Sequence, residues 1–388
     1  MNIAILSRSR DSYSTRRLRA AAIRRGHVVR VADSLDYAIF LEEANPFLFY
    51  RGRPVQRPDA VIPRIGASIT QYGTALVRQF EQMGVFCLNG SHAIAVSRDK
   101  LRAMQVLARH HLGIPPTAFV HARADVRPAI QQVGGAPVIV KLLEGTQGVG
   151  VILAESVKVA EAIIETLQAA NQQVLIQRFV AESKGRDLRA LVVGDRVVAA
   201  MRRTAVGDEF RSNVHRGGRT ESVRLPPDFE RVALRASQLM GLHVAGVDML
   251  ESKDGPLVME VNSSPGLEGI EKTTGVDVAG AVMQHLEEQV QFPEMDLKER
   301  LNIGSEYQIA EFTVHDMPEL EGKALAETHL ADHRVRVLWI RSNGVEIANP
   351  QGATRIRAGD TLLCYGPRLA LHGLLPPHRI EPTSPSLD

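Results

Sequence analysis

Cysteine, tryptophan and lysine are all scarce in this chain. Its 388 residues include only two cysteines, Cys87 and Cys364, far apart and in no metal-binding spacing. That excludes a disulfide framework and leaves a reduced, cytoplasmic setting as the expectation. No apolar run reaches the length of a transmembrane helix, and Met1 to Leu6 is followed at once by Ser7-Arg-Ser-Arg10, which does not read as a secretory signal. No membrane partner is expected. A formal net charge of +2 argues neither for nor against nucleic acid. No internal repeat is visible. No Gly-x-Gly-x-x-Gly follows the first apolar strand, and no Gly-Lys-Ser/Thr ends a glycine-rich loop, so the dinucleotide fingerprint and the Walker A motif are both missing. Lysines number 8 against 38 arginines. A lysine here is therefore less a generic surface cation, and Lys100 and Lys141 stand where a mobile ammonium could meet phosphate.

What is present is an alternation of strands and helices. Asn2 to Ser7, His27 to Ala32, Asp59 to Pro63 and Val85 to Leu88 read as strands, with helices over Thr15 to Arg25 and Ser68 to Met83. This predicts a small parallel-sheet domain. Ser97 to His111 reads as one helix with Ser97 as N-cap. Strands follow at Ala136 to Lys141, Val151 to Ala154, Val174 to Phe179, Asp187 to Val193 and Val197 to Arg202, with helices over Val157 to Asn171, Asp228 to Met240 and Asp277 to Gln289. Beyond a linker at 293–306, strands at Tyr307 to Val314, Arg334 to Arg341 and Asp360 to Tyr365 predict a separate β-rich unit over 307–375, and the proline-rich 376–388 reads as a disordered tail. The run Arg8, Arg10, Arg16, Arg17, Arg19, Arg24, Arg25 is the strongest charge cluster. It could meet nucleic acid or an acidic substrate, but the commoner meaning is the solvated face of the first helix.

The most informative segment runs from Gly246 to Asn262. Two alternating stretches flank Asp254-Gly255-Pro256, the pattern of a β-hairpin. Symmetry about Asp254 places Asp248 opposite Glu260, and Asn262 opposite Gly246, which leaves space unfilled. Opposed carboxylates repel, and a hard divalent cation would relieve the repulsion. Asp, Glu and an Asn carbonyl are oxygen donors suited to magnesium. Glu144-Gly-Thr-Gln-Gly-Val-Gly150 follows Lys141 and offers backbone amides to phosphate oxygens. Phe210-Arg-Ser-Asn-Val-His-Arg-Gly-Gly218 concentrates Arg211, Ser212, Asn213, His215 and Arg216 in one loop. The adjacent arginines Arg202 and Arg203 must face opposite ways on a strand, so one can reach a site while the other is solvated.

Taken together, Lys100, Lys141 with its glycine loop, Gln177-Arg-Phe179, Asp187, Phe210-Arg-Ser-Asn213, Asp248 and Met259-Glu-Val-Asn262 resemble an ATP-grasp ligase. More closely, residues 1 to about 290 are similar to the ribosomal protein S6 modification (α-L-glutamate ligase) family. The resemblance implies an α/β (α+β) ATP-grasp fold: a Rossmann-like lobe at 1–95, a central lobe at 96–180 and a grasp lobe at 181–292. It implies that Lys100 and Lys141 contact ATP phosphates, and that Arg178 and Phe179 lie on the adenine-bonding segment. Asp187, Arg211, Ser212 and Asn213 would help hold the nucleotide. Asp248, Glu260 and Asn262 would bind two magnesium or manganese ions. A substrate carboxylate would then take the γ-phosphate, and the amine of glutamate would attack the acyl phosphate. The acceptor implied is the C-terminus of ribosomal protein S6 or a related peptide.

Related dipeptide ligases carry an arginine where this chain has Gly246, so Arg202, Arg203 and Arg211 are the candidates to meet the intermediate's charge. The last strands, with Gly322-Lys-Ala-Leu325 and Gly359-Asp-Thr-Leu362, resemble the regulatory C-terminal (TrkA-type) domain of potassium-uptake proteins. That implies either a small-molecule effector or a dimerisation module, and a homo-oligomer is expected. Competing readings are free poly-α-glutamate synthesis, a non-catalytic ATP sensor and a ribosome-binding factor.

Overall fold

Strand and helix alternate from the start because apolar runs of strand length alternate with capped amphipathic segments. The computed structural model describes residues 1–43, 45–143, 150–207, 209–210, 218–291, 307–314 and 318–373. Its contacts divide the chain into two units, Met1–Phe292 and Pro293–Asp388.

The first lobe of the larger unit carries β1 (Asn2–Leu6), α1 (Tyr13–Arg24), β2 (Val28–Ala32), β3 (Tyr37–Phe40), β4 (Phe47–Tyr50), β5 (Arg53–Pro54), β6 (Ala60–Pro63), α2 (Thr70–Gln82) and β7 (Phe86–Cys87). The parallel sheet runs β2-β1-β6-β7, as the alternation predicts. Ser12 caps α1 by accepting from the Thr15 amide, which fixes the turn out of β1. An antiparallel sheet, β3-β4-β5, was not foreseen. Its rows of aromatics, with Tyr37 on Tyr50 and Phe40 on Phe47, pair across strands too short to stand out in sequence.

The stretch read as one helix is two, α3 (Ser91–Arg98) and α4 (Lys100–Arg109). Asp99 sits between them in an extended conformation, and its carboxylate accepts from the Arg102 amide. Asp99, not Ser97, is the N-cap, because a carboxylate meets both the orphan amides and the helix dipole. The central lobe continues with β8 (Thr117–Phe119), α5 (Val126–Gln132), β9 (Val138–Leu142), β10 (Val151–Ala154), α6 (Val157–Ala169) and β11 (Val174–Arg178), its sheet ordered β10-β9-β11-β8.

The grasp lobe has β12 (Arg186–Val193), β13 (Arg196–Thr204), β14 (Arg219–Ser222), α7 (Pro227–Leu239), β15 (Val244–Ser252), β16 (Gly255–Asn262), α8 (Glu268–Thr274) and α9 (Val278–Gln291). Its antiparallel sheet is β14-β13-β12-β15-β16. Val247, Met249, Val258 and Val261 turn to one face and join a core with Phe229, Ala233 and Ala236 of α7. On the other face, Leu191, Ala199 and Met201 share a core with α9 and with Ile3, Ile5 and Leu18 of the first lobe. The two lobes therefore hold each other through apolar burial.

The arginines of α1 contribute to the same junction. Arg17 pairs with Glu271 at 2.8 Å and Asp277 at 2.7 Å, Arg24 with Asp277 at 3.1 Å and Arg25 with Glu287 at 2.5 Å. For these three, neither nucleic acid nor plain solvation is the role: they dock α1 against α8, α9 and the turn between them.

The smaller unit forms a sheet β17-β20-β18-β19 from β17 (Tyr307–Thr313), β18 (Arg336–Ser342), β19 (Val345–Ala348) and β20 (Thr361–Pro367), followed by α10 (Arg368–Gly373). Its own core includes Phe312, Ile340, Ile356, Leu362 and Cys364. The expected linker and tail lie outside the described residues. Among the described residues no helix is long and apolar enough to cross a membrane.

Candidate functional site

The hairpin β15–β16 pairs Asp248 with Glu260 and Gly246 with Asn262, as symmetry about Asp254 requires. Its tip does not. Ser252 pairs with Gly255, one residue out of that symmetry, and an irregularity between Asp248 and Met249 leaves Met259 as the extra residue. A β-bulge thus restores the register where it carries chemistry, which is where bulges concentrate.

The two carboxylates differ in environment. Asp248 is buried, and Glu260 is exposed. The repulsion expected between them is relieved by arginine. Arg189, directly across from Asp248 on β12, grips both its oxygens through Nε and Nη2 at 2.6 Å each. Arg203 adds a contact at 2.9 Å. Burial opposes the Asp248 charge, but Arg189 and then Arg203 outweigh it and hold the carboxyl down at about 2. Arg189 was missed: β12 was visible in sequence, but nothing local places it beside a strand 59 residues away.

Arg203 is itself buried, and its Nε and Nη2 meet Asp187 at 2.6 and 2.5 Å. Burial works against its charge, yet the pull of Asp248 and Asp187 raises its pKa. Asp187, expected beside the nucleotide, is here taken up by this pair. Arg203, Asp187, Arg189, Asp248, Glu260 and Asn262 lie on one face of the sheet by register. Arg202 does not join them. It lies on the opposite face and pairs with Glu221 at 2.7 Å and Glu251 at 3.2 Å. The expected open space at Gly246 is also corrected: a Cβ there would stand 2.9 Å from Cβ of Pro265, so the glycine accommodates the loop after β16.

The lysines approach from the central lobe and its entry. Lys100 begins α4 just after the Asp99 cap, and its Nζ donates to the Leu142 carbonyl at 2.7 Å. Lys141 lies on β9 next to that carbonyl. Burial lowers Lys141 to about 8, with Glu260 and Asp248 pulling up and Lys100 pushing down. Burial also lowers Lys100, against the pull of Glu260. Both ammonium groups therefore feel the hairpin carboxylates, which brings residues from β9, α4, β15 and β16 into one electrostatic neighbourhood. Arg178 ends β11 in an exposed position and Phe179 follows it half-buried. Arg211, Ser212 and Asn213, with most of the 144–150 loop, lie outside the described residues.

Among the described residues no three His, Cys, Asp or Glu side chains cluster as a metal cage. The donors that are present fit magnesium nonetheless. It is commonly held by one or two carboxylates with substrate phosphates supplying the rest, and the Asp248–Glu260–Asn262 edge offers hard oxygens whose charge Lys100 and Lys141 sense.

Three domain families match the chain: the RimK PreATP-grasp domain over residues 1–94, the RimK-like ATP-grasp domain over 97–286 and the TrkA-C domain over 309–374. A probable alpha-L-glutamate ligase of Rhodopirellula baltica is 56% identical over 376 residues, 97% of this chain and 93% of the relative. One from Picosynechococcus is 55% identical over 287 residues, 74% of this chain and 95% of its own length. Among solved structures, the ATP-grasp ligase PsnB complexed with minimal precursor, Mg and ADP aligns at a TM-score of 0.59 and 22% identity, covering 75% of this chain and 98% of that one. A RimK domain protein from Sphaerobacter thermophilus aligns at 0.56 and 23%, covering 74% and 100%. These two likenesses establish the ATP-grasp fold.

Proposed function

Because the chain belongs to the RimK-like ATP-grasp family, enzymes that form C–N bonds with ATP, we propose that it is an α-L-glutamate ligase acting on the C-terminal carboxylate of a protein or peptide. What supports this reading is that Lys100 and Lys141 both sense the charge of Glu260, which pairs with Asp248 across the hairpin that ends at Asn262. Cations and oxygen donors meet there as the handling of a nucleoside triphosphate requires.

An oxygen of the acceptor carboxylate attacks the γ-phosphorus, the bond to the bridging oxygen breaks, and ADP leaves with the electron pair. The product is an acyl phosphate. The glutamate nitrogen then attacks the acyl carbon and loses a proton, and the C–O bond to phosphate breaks as the amide forms. Negative charge builds on oxygen in both steps, so fixed cations are the groups this chemistry needs. Lys100 and Lys141 hold phosphate oxygens. Asp248, Glu260 and Asn262 would hold two magnesium or manganese ions, which would supply neutralisation of phosphate charge. Arg189 and Arg203 keep Asp248 ionised and aimed. Arg178 and Phe179 are assigned to the adenine end, and Arg211, Ser212 and Asn213 to the loop closing over the nucleotide. The acceptor implied is the S6 C-terminus, and an effector or a second copy is assigned to the TrkA-C unit.

The test is ADP release with ATP, magnesium and each amino acid in turn, with and without S6, read with product mass. Mass gains of glutamate residues on S6 support the reading. Release with glutamate alone would mean free polyglutamate synthesis, and ATP binding without any turnover would mean a sensor.

A further inference from the structure

Two arginines at the junction of the first lobe and the grasp lobe are used by nothing described so far. Arg64 directly follows β6, at the carboxyl end of a parallel strand, where crevices that bind ligands form in such sheets. Its Nη2 donates to the Pro265 carbonyl at 2.7 Å, in the loop that follows Asn262. Arg98 ends α3, and its Nη2 donates to the Ile65 carbonyl. The two are thus tied to consecutive stretches of one loop, Arg64-Ile65, beside the end of β16.

Neither guanidinium has a carboxylate within ion-pair distance among the described residues, unlike Arg17, Arg24, Arg25, Arg189 and Arg203. Backbone carbonyls accept from both, and Nε of Arg98 is buried with no partner among the described residues. Burial depresses Arg64 to about 10, and Arg98 adds to the fall. Burial depresses Arg98 too, against a longer-range pull from Glu260. Both side chains are half-buried, and partly buried like charges that sense one another are costly unless an anion joins them. Paired guanidinium forks match the two oxygens of a carboxylate.

We infer that Arg64 and Arg98 form the binding site for a substrate carboxylate, holding the amino acid or the acceptor beside the metal edge. The inference rests on the ligase reading above and names the substrate group that this side of the site takes. The nucleotide phosphates are assigned to Lys100 and Lys141, whereas Arg64 is tied to the loop that follows Asn262.

The experiment uses the full chain and the variants Arg64→Gln, Arg98→Gln, Arg64→Lys and Arg98→Lys. ATP affinity with magnesium is measured by calorimetry, and KM is measured separately for glutamate and for the peptide acceptor. Retained ATP binding reports that each variant is folded. The expected result is a KM for one carboxylate substrate raised at least about tenfold in the glutamine variants, ATP affinity within about twofold, and partial recovery with lysine. ATP affinity falling in step would assign the pair to phosphate and overturn the inference. Constants all within about twofold would leave a purely structural pair and overturn it equally. A wild type that ligates a different amino acid would fail the glutamate reading alone, and the same variants are then read with that amino acid.

Discussion

Asp248 and Glu260 are cross-strand neighbours with opposite surroundings, and their substitution should separate structure from chemistry. Asp248→Asn removes the partner of two arginines in a buried network. Arg203 keeps Asp187, but leaving the Arg189 charge without its carboxylate costs about 3–5 kcal/mol, so the melting temperature should fall along with activity. Glu260→Gln touches an exposed side chain. Stability should change by about 0.5 kcal/mol or less, while magnesium-dependent ADP release should drop by at least about a hundredfold, since a metal-side carboxylate contributes several kcal/mol. Calorimetry and steady-state rates on the two variants check the contrast. Lys141 gives a pH dependence. With its pKa lowered to about 8, it is an ammonium below that pH and loses its proton above it. Bound phosphate favours the charged form, so ATP affinity should be full below pH 8 and fall as pH rises through 8, by up to about tenfold per unit. The apo protein should move the other way. Its unfolded chain keeps the proton to about 10.5, so the cost of this buried ammonium to stability is relieved above pH 8. ATP titrations and melts at pH 7 to 9.5 would show both slopes, and Lys141→Met should abolish the first.

The elements of the grasp lobe work as a unit because β12 lies between the hairpin and β13. That order lets Arg189 reach Asp248 from one side while Arg203 spans Asp187 and Asp248. Gly246 is a tight point of the assembly, with Cβ of Pro265 packed 2.9 Å from where a side chain would begin. Gly246→Ala should therefore destabilise by about 1–3 kcal/mol, the range for overpacking. It should also weaken ATP binding by shifting the loop that follows Asn262. Thermal melts and nucleotide titration on this one variant check both effects, and an unchanged melt would show that the loop gives way freely. The Asp99 cap belongs to the same scale: by breaking α3 from α4 it sets Lys100 at the first turn of a helix, beside the Leu142 carbonyl.

At the scale of the molecule, Asn89 shows how the first lobe is fixed to the grasp lobe. Its side chain donates to the carbonyls of Val244 and Ser263 at 2.8 Å each and accepts from the amides of His243 and Val244. All four are backbone groups at the entrance of β15 or the exit of β16, so the amide clamps the open end of the β15–β16 hairpin. The TrkA-C unit has its own core, and relatives that match 74% of this chain are themselves covered to 95%. A chain ending at residue 292 should therefore fold and keep ATP-dependent ligation within about threefold, since sites without shared partners act nearly additively. Loss of folding in that truncation, seen by circular dichroism, would show the two units to be interdependent.

The sequence by itself determined the alternation of strands and helices and the hairpin that opposes Asp248 to Glu260, and it singled out Lys100 and Lys141 among scarce lysines. Each of these is local: period, turn chemistry and residue type act over a few positions. The β3-β4-β5 sheet escaped notice because its strands are four residues or fewer, too short for a period to declare itself. The Met259 bulge escaped because one extra residue leaves both flanking alternations intact. What only the tertiary structure decided was which charge meets which. Arg189, Arg203 and Asp187 became the support of Asp248, Arg202 was turned away, and Arg64 and Arg98 were left on backbone carbonyls with no carboxylate in ion-pair reach among the described residues. Those pairings join strands and loops tens of residues apart, and their order in the sheet follows from burying apolar faces on α7 and α9. The charges at the strand ends are then carried to wherever that burial places them.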